Sequence, residues 1–446
     1  MFHRMGKKGV TVHAKPLKDL TRMSTAEHLL ADEKRTTLMQ QIREECKLEN
    51  ARFESLCQVL VHNLVNYCQQ LPDSSHSYYS EPCGLLDYAL NRTEAALGLF
   101  KKFVITDESN EFSEDQKLWQ YALLSAAILQ GAGKLFVDYT VELYDNNGQF
   151  LKQWNPLLEN MILTGSHYSY SFQKEGEMTF RQRLNIVFAK MLMPASGFSW
   201  IASKPLVLQT WLALLNEDYY SAGTLGAILI RADAIAIQRY LNQLALKKNA
   251  FKGGRFGRAG TFTGTTPEAV RELEQHIGVE FIHWLTNALE SGLIMVNKAP
   301  LLMVPGGLLM LPDMFKLFVR SHPEYKNWQA VQSGFLSLRL HSLSADGDIH
   351  SSFEQNNNQR VVKGIVVRHY GVVLPNQVQV HNINTGQTET ASAVEVIQQA
   401  PYNNHFTRQQ HMTPVPLLAI NQAGIWQEQA VSQPAPAQHK GVTHGA

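Results

Sequence analysis

Residues 113–154 read SEDQKLWQYALLSAAILQGAGKLFVDYTVELYDNNGQFLKQW, and this stretch commits the chain to a helical framework with a β insertion. Ser113 with Gln116 has capping-box spacing, in which two amides orphaned at a helix start are satisfied by side chains. The helix it opens is predicted to run to about Gln130, and the glycines of Gln130-Gly-Ala-Gly-Lys134 supply its stop. The same five residues do not make a phosphate-binding loop. Ile128 stands where that motif needs its first glycine, and Leu135 where it needs Ser or Thr, so no ATP-driven motor is expected. After the stop the period changes to two. Phe136–Leu143 alternates, Asn147-Gly148 is a type I′ turn pair, and Phe150–Trp154 returns as the second strand.

Upstream, Ser24 with Glu27 has a second capping-box spacing, and apolar residues then recur at helical intervals through Cys68, with a break near Leu48–Asn50. Cys46, Cys57 and Cys68 are eleven apart and would share one stripe of a continuous helix; such cysteines serve as small buried hydrophobes. A turn-rich piece, Leu71–Gly84, precedes a helix over Leu85–Phe103. Downstream, helical patterns fill Thr179–Leu246, punctuated by Pro194 and Pro205. Residues 247–266 (KKNAFKGGRFGRAGTFTGTT) are glycine-rich and aperiodic, as a linker would be. A helix is then predicted from Thr266-Pro267 to about Gly292, with two short strands around Pro305-Gly306-Gly307. Helices at Asp313–Ser321 and Asn327–Leu340 follow, then strands at Val361–Tyr370 and Gln377–His381.

The expected fold is mainly α: a helical domain with one β-hairpin over residues 23–246, then a small α+β, winged-helix-like domain over 267–396. Residues 1–22 read as a flexible basic leader, 247–266 as the basic linker, and 397–446 as a Gln/Pro-rich, mostly disordered tail. The 446 residues carry 40 basic and 39 acidic side chains, which excludes a uniformly basic chromatin-type protein. Any nucleic-acid affinity must be local, and the linker is where charge collects. No acidic residue occurs between 234 and 267, whereas Lys247, Lys248, Lys252, Arg255 and Arg258 lie there with Phe251, Phe256 and Phe262 interleaved. Four cysteines, all before residue 84, suit a reducing cytoplasm better than a disulfide scaffold. The apolar runs are broken before membrane-spanning length, so no span is expected.

The order Leu71-Pro72, a polar segment, then Pro82-x-Gly-Leu-Leu-Asp-x-x-Leu90 and a helix ending in Gly133-Lys134 resembles the TraI-type relaxases of integrating conjugative elements. These are the H-class, HD-hydrolase-like relaxases. The resemblance extends through Trp154-Asn155-Pro156, Ala222-Gly-Thr-Leu-Gly226 and Ala232-Asp233, and resumes at Phe281–Phe318 and Trp328–Leu340. It covers roughly 24–380 in two blocks. It implies an HD-hydrolase-like first domain, a separate C-terminal domain, DNA as partner, and conjugative or type IV secretion components as further partners.

The resemblance also implies a metal centre whose ligands this chain has exchanged. Relatives hold histidines where Ser77, Tyr78 and Tyr79 stand here, another where Tyr88 stands, and a His-Asp pair where Gln130-Gly131 stands; Gln182 or Arg183 replaces a further one. Asp233 is the one plausible ligand left. Between residues 60 and 240 the only histidines are His62, His76 and His167, and the chain contains no His-Asp dipeptide. Phenols and neutral amides are poor divalent ligands at neutral pH. The expectation is therefore a non-catalytic DNA-processing or DNA-docking component, with no metal and no cofactor. Two alternatives stand beside it. One is an active nickase with a remodelled site lined by His62, His76 or His167 with Asp233. The other is a structural adaptor that binds transfer or secretion proteins and no DNA. Tyr78 and Tyr79 are candidate nucleophiles on the first alternative and packing aromatics otherwise.

Overall fold

The computed structural model describes residues 14–75, 77–103, 112–173, 178–252, 267–325, 327–344, 347–356, 360–399, 405–408, 417–420 and 426–429. The Ser113 capping box forms as expected, and the helix Glu114–Leu129 that follows is buried from Gln120 to its end. It is the axis of the first core, packing against Gly84–Phe103 and Pro205–Leu215. Gly131 follows at φ +89°, a left-handed stop that costs glycine nothing. The upstream helix starts one residue later than its spacing suggests. Thr25 caps it, because Ser24 is engaged on both backbone groups by the side chain of buried Gln69.

The predicted hairpin exists but belongs to a larger sheet. Strands β1 (Thr21–Arg22), β2 (Tyr139–Tyr144), β3 (Phe150–Gln153) and β4 (His167–Phe172) pair antiparallel in the order β1-β4-β2-β3. β4 reads His-Tyr-Ser-Tyr-Ser-Phe, an alternation whose polar members masked it in sequence, and its Tyr168 and the facing Leu143 of β2 are buried in register.

The second core gathers around Phe281, Phe315, Phe318 and Phe335, on the helices Pro267–Glu290, Asp313–Ser321 and Trp328–Ser337. Gly278 and Gly334 let the first and last of these touch backbone to backbone: a Cβ on Gly278 would lie 2.2 Å from Gly334 O. The β part exceeds the expected ribbon. β5 (Leu301–Val304), β6 (Gly307–Met310), β7 (His341–Ser342), β8 (Ser351–Gln355), β9 (Val361–Val367) and β12 (Phe406–Arg408) form one antiparallel sheet, ordered β12-β8-β9-β6-β5 with β7 also on β9. β10 (Gln377–His381) and β11 (Thr388–Ser392) make a separate pair.

One expectation is corrected here. Lys247, Lys248 and Lys252 do not lie in an aperiodic linker: the helix Gly223–Lys252 runs through them, since the first strong breakers are Gly253-Gly254. Arg255, Arg258 and the rest of the glycine-rich segment fall outside the described residues. Within 397–446 the described residues include short strands. Phe406 is buried and pairs with Gln355, and Leu417–Ile420 pairs with Trp426–Gln429.

The long helix Gly223–Lys252 belongs to both halves. Its Ala234, Ala236, Ile237, Tyr240 and Leu241 lie in the second core, together with Tyr79 and Tyr88 of the first block. Arg231, on the same helix, donates to Gly371 O and Leu374 O at 2.7 Å each. This clamps the segment 368–374 against the first block.

Candidate functional site

The turn-rich segment after Leu71 is a closed loop rather than a tether. Asp73 N donates to Tyr79 O (2.8 Å), Cys83 N to Gln70 O (3.0 Å) and Leu85 N to Leu71 O (3.1 Å). Tyr79 and Cys83 take positive φ, at 52° and 66°. Gly84 is required by contact: a Cβ there would fall 1.9 Å from Tyr79 O. The loop also reaches across the molecule, since Ser77 Oγ donates to Leu338 O at 2.9 Å. It thereby delivers Tyr78 to a cleft of about 1380 Å³ between the two halves. Tyr78, Tyr88, Arg92, Lys134, Asp233 and His369 are among the residues lining it.

Asp233 is the hub of the cleft. Its Oδ1 accepts from Tyr88 OH at 2.6 Å and from Arg92 Nη1 at 3.2 Å, and its Oδ2 lies 3.4 Å from His369 Nδ1. Burial alone would raise this carboxyl. The His369 hydrogen bond and the Arg92 charge outweigh it and hold Asp233 well below the usual carboxylate range. Arg92 is fixed by Ala127 O (2.9 Å) and Gln130 O (2.5 Å), buried carbonyls at the end of the central helix. Gln130 itself donates to Tyr219 OH. Tyr78 OH lies 3.4 Å from His369 Nε2, and its ring meets Tyr88 edge-on at 5.4 Å. Burial, and secondarily Asp233, push the Tyr78 phenol up.

The two adjacent tyrosines have different fates. Tyr79 stacks between Tyr88 and Tyr240, with centroids at 4.9 Å from each, and donates its hydroxyl to Ala236 O (2.9 Å). It is a packing residue; Tyr78 faces the cleft. Lys134, the lysine after the helix stop, holds Asp73 with both carboxylate oxygens within 2.7 Å.

The donor set does not fit a divalent ion. Among the described residues no three His, Cys, Asp or Glu side chains come together as a metal site. Asp233 already has the Arg92 guanidinium on it, and that fixed cation would repel a second. The alternative constellation is not assembled: His62 pairs with Glu27 at 3.7 Å, His167 faces Ser166, neither lines the cleft, and His76 is outside the described residues. The imidazole that does reach Asp233, His369, comes from the C-terminal half. Its sequence, Arg368-His369-Tyr370 at the end of a predicted strand, carried no signal beyond a break in alternation.

A family model described as "Putative helicase" matches residues 20–252, just over half of the chain. A second, described as "Putative conjugal transfer nickase/helicase TraI C-term", matches residues 276–386. The chain belongs to the TraI-type conjugal transfer family. Both matched blocks of this TraI-type chain contribute residues to the cleft, which is therefore composite. The matches indicate a conjugative transfer function of the nickase/helicase type and, with it, interaction with DNA. No curated protein sequence matches the chain significantly. Among the described residues no single helix is long and apolar enough to cross a membrane; the bent pair Thr179–Leu192 and Ala195–Ala202, at 119°, passes by length and composition only.

Proposed function

We propose that this TraI-type chain is a relaxase-like, DNA-engaging component of the transfer system of an integrating conjugative element, acting in the cytoplasm. On this reading its first domain is HD-hydrolase-like in scaffold but carries no metal-dependent phosphodiesterase centre. One observation carries the reading. Arg92 lies 3.2 Å from Asp233, the single carboxylate kept at the family position, and supplies the positive charge that a metal ion would otherwise bring. With respect to metal chemistry the domain is non-catalytic.

The second domain is read as winged-helix-like on the order helix, hairpin, two helices, sheet. DNA is assigned first to the cleft, where Arg181, Arg339, Arg368 and Arg408 line the walls beside Phe172 and Tyr220. Its volume exceeds the ~300–1,000 Å³ of small-ligand pockets, as a stretch of polymer requires. The lysines at the end of Gly223–Lys252 are a second, weaker contact.

The test uses the full-length chain. Metal content is measured after purification, and retention on single- and double-stranded DNA is followed against salt with and without chelator. Expected are far less than one bound ion per chain and salt-dependent retention that chelator leaves unchanged. One or two tightly held ions, with nicking stimulated by Mg²⁺ or Mn²⁺, would overturn the metal-free reading. Absence of DNA retention at low salt would favour the protein-binding adaptor instead.

A further inference from the structure

The second half carries a smaller cavity of about 350 Å³ that shares no lining residue with the cleft. It lies where β5 begins, β6 ends and the helix Asp313–Ser321 departs. Leu311 N donates to Pro300 O (3.0 Å), which ties the two strand ends together. The helix turns Met314, Phe315 and Phe318 into the second core, and so leaves Lys316, Leu317 and Arg320 on its other face, toward the cavity. The lining is chemically divided. Ala299, Pro300, Leu311 and Leu317 give it apolar surface, and Lys316 and Arg320 give it positive charge. Asp313 is the one acid there and is engaged by Lys316 (2.8 Å), an exposed pair of little strength. Among the described residues Arg320 has no ion-pair or hydrogen-bond partner. A guanidinium left open in this way presents a planar fork that a carboxylate fits through two parallel hydrogen bonds. A nucleic acid would need a ring for its bases to stack on, and none lines the cavity; Trp328, overlain by Lys316 Nζ at 6.0 Å, stands outside it. The volume is at the lower end of the ~300–1,000 Å³ of small-ligand pockets, room for a chain end and not for a helix or a duplex.

We propose that this cavity captures the C-terminus of an acidic protein tail. The terminal carboxylate sits on Arg320, an aliphatic or aromatic last side chain rests against Pro300, Leu311 and Leu317, and acidic residues just before it lie near Lys316. A free chain end suits the site better than an internal acidic residue. It carries a carboxylate and an apolar side chain on one carbon, matching Arg320 and Leu317, which are one helical turn apart. The site is separate from whatever the cleft holds, so an acidic partner docked here leaves the cleft open.

The experiment titrates the full-length chain into a fluorescein-labelled peptide of aspartates and glycines that ends in phenylalanine with a free carboxylate, and follows anisotropy at fixed ionic strength. Expected is saturable binding that amidation of the terminus weakens by ~10-fold or more, as loss of a charge-assisted hydrogen bond does. Glycine in place of the last phenylalanine should weaken it by ~10-fold as well. Arg320→Ala should match the effect of amidation. Asp313→Asn should tighten binding by up to ~5-fold, because it releases Lys316, and a damaged fold does not bind more tightly. No saturable binding, equal binding of the amidated peptide, or an unchanged affinity in Arg320→Ala overturns the proposal. Displacement of the peptide by equimolar inorganic phosphate or short single-stranded DNA assigns the cavity to phosphate and overturns it too. Retention of DNA by the cleft should be the same in Arg320→Ala as in the wild type, so the two sites are tested apart.

Discussion

Two of the carboxylates that line the cleft, Asp73 and Asp233, each have a cation at hydrogen-bond distance and are built in opposite ways. Asp73 and Lys134 come from one block, sixty-one residues apart, and form an ion pair of two side chains. Asp233 draws Tyr88 and Arg92 from the first block and His369 from the second. The first pair fastens a loop to the end of a helix. The second fastens one half of the molecule to the other and leaves an imidazole nitrogen facing Tyr78. A buried charge with several partners from separate segments is an organising device, whereas one with a single local partner is a clasp.

The comparison breaks most sharply at Asp233. Asp233→Ala leaves the Arg92 guanidinium buried without its counter-charge and should cost about 3–5 kcal/mol, read by denaturant unfolding; a loss below about 1 kcal/mol would mean that the hub is not organising. The pH dependence follows from the same pair. A carboxyl held below its ordinary value of ~3.9 contributes stability that is complete above that value and fades as pH falls below it. Between pH 5 and 2 the wild type should therefore lose more stability than Asp233→Ala.

At the clasp, Lys134→Met strands Asp73, which is only 6 % exposed, and should cost about 2–3 kcal/mol, less than the hub because one pair is lost and not a network. Gly84→Ala drives a methyl into Tyr79 O at 1.9 Å and should cost about 1–3 kcal/mol. It should also displace Tyr78, which fluorescence of the cleft tyrosines or hydrogen exchange over 71–84 would report. The smallest effect belongs to the helix end. Glutamate at Lys247, Lys248 and Lys252 should leave thermal stability within about 0.5 kcal/mol and weaken DNA retention while reducing its salt slope. Abolition of retention would move the main DNA contact from the cleft to this helix.

Much of the helical framework was legible. The Ser113 capping box, the Gly131 stop, Pro194 and Pro205 each act through a backbone group within a few residues, and each stands where its spacing put it. The β structure was legible only in part. β4 mixes tyrosine with serine, and β8 and β12 are paired across more than fifty residues, so neither signals its partner. At the site, the sequence singled out Tyr78, Tyr79, Tyr88, Gln130 and Asp233, all of which line the cleft or pack beside it, but treated the two tyrosines alike. Only packing separates them, one stacked into the core and one turned to the cleft. Arg92, Lys134 and His369 were missed, because what matters about them is the group they face.

Local order in the chain settled where helices begin and stop, since capping, glycine stops and apolar period are short-range effects. It also settled that histidines are scarce between residues 60 and 240. Tertiary structure alone decided that the Arg92 guanidinium pairs with Asp233 and that an imidazole from residue 369 meets a phenol from residue 78. Such contacts join segments hundreds of residues apart, and their energy depends on burial and distance, neither of which is written in any neighbouring residue.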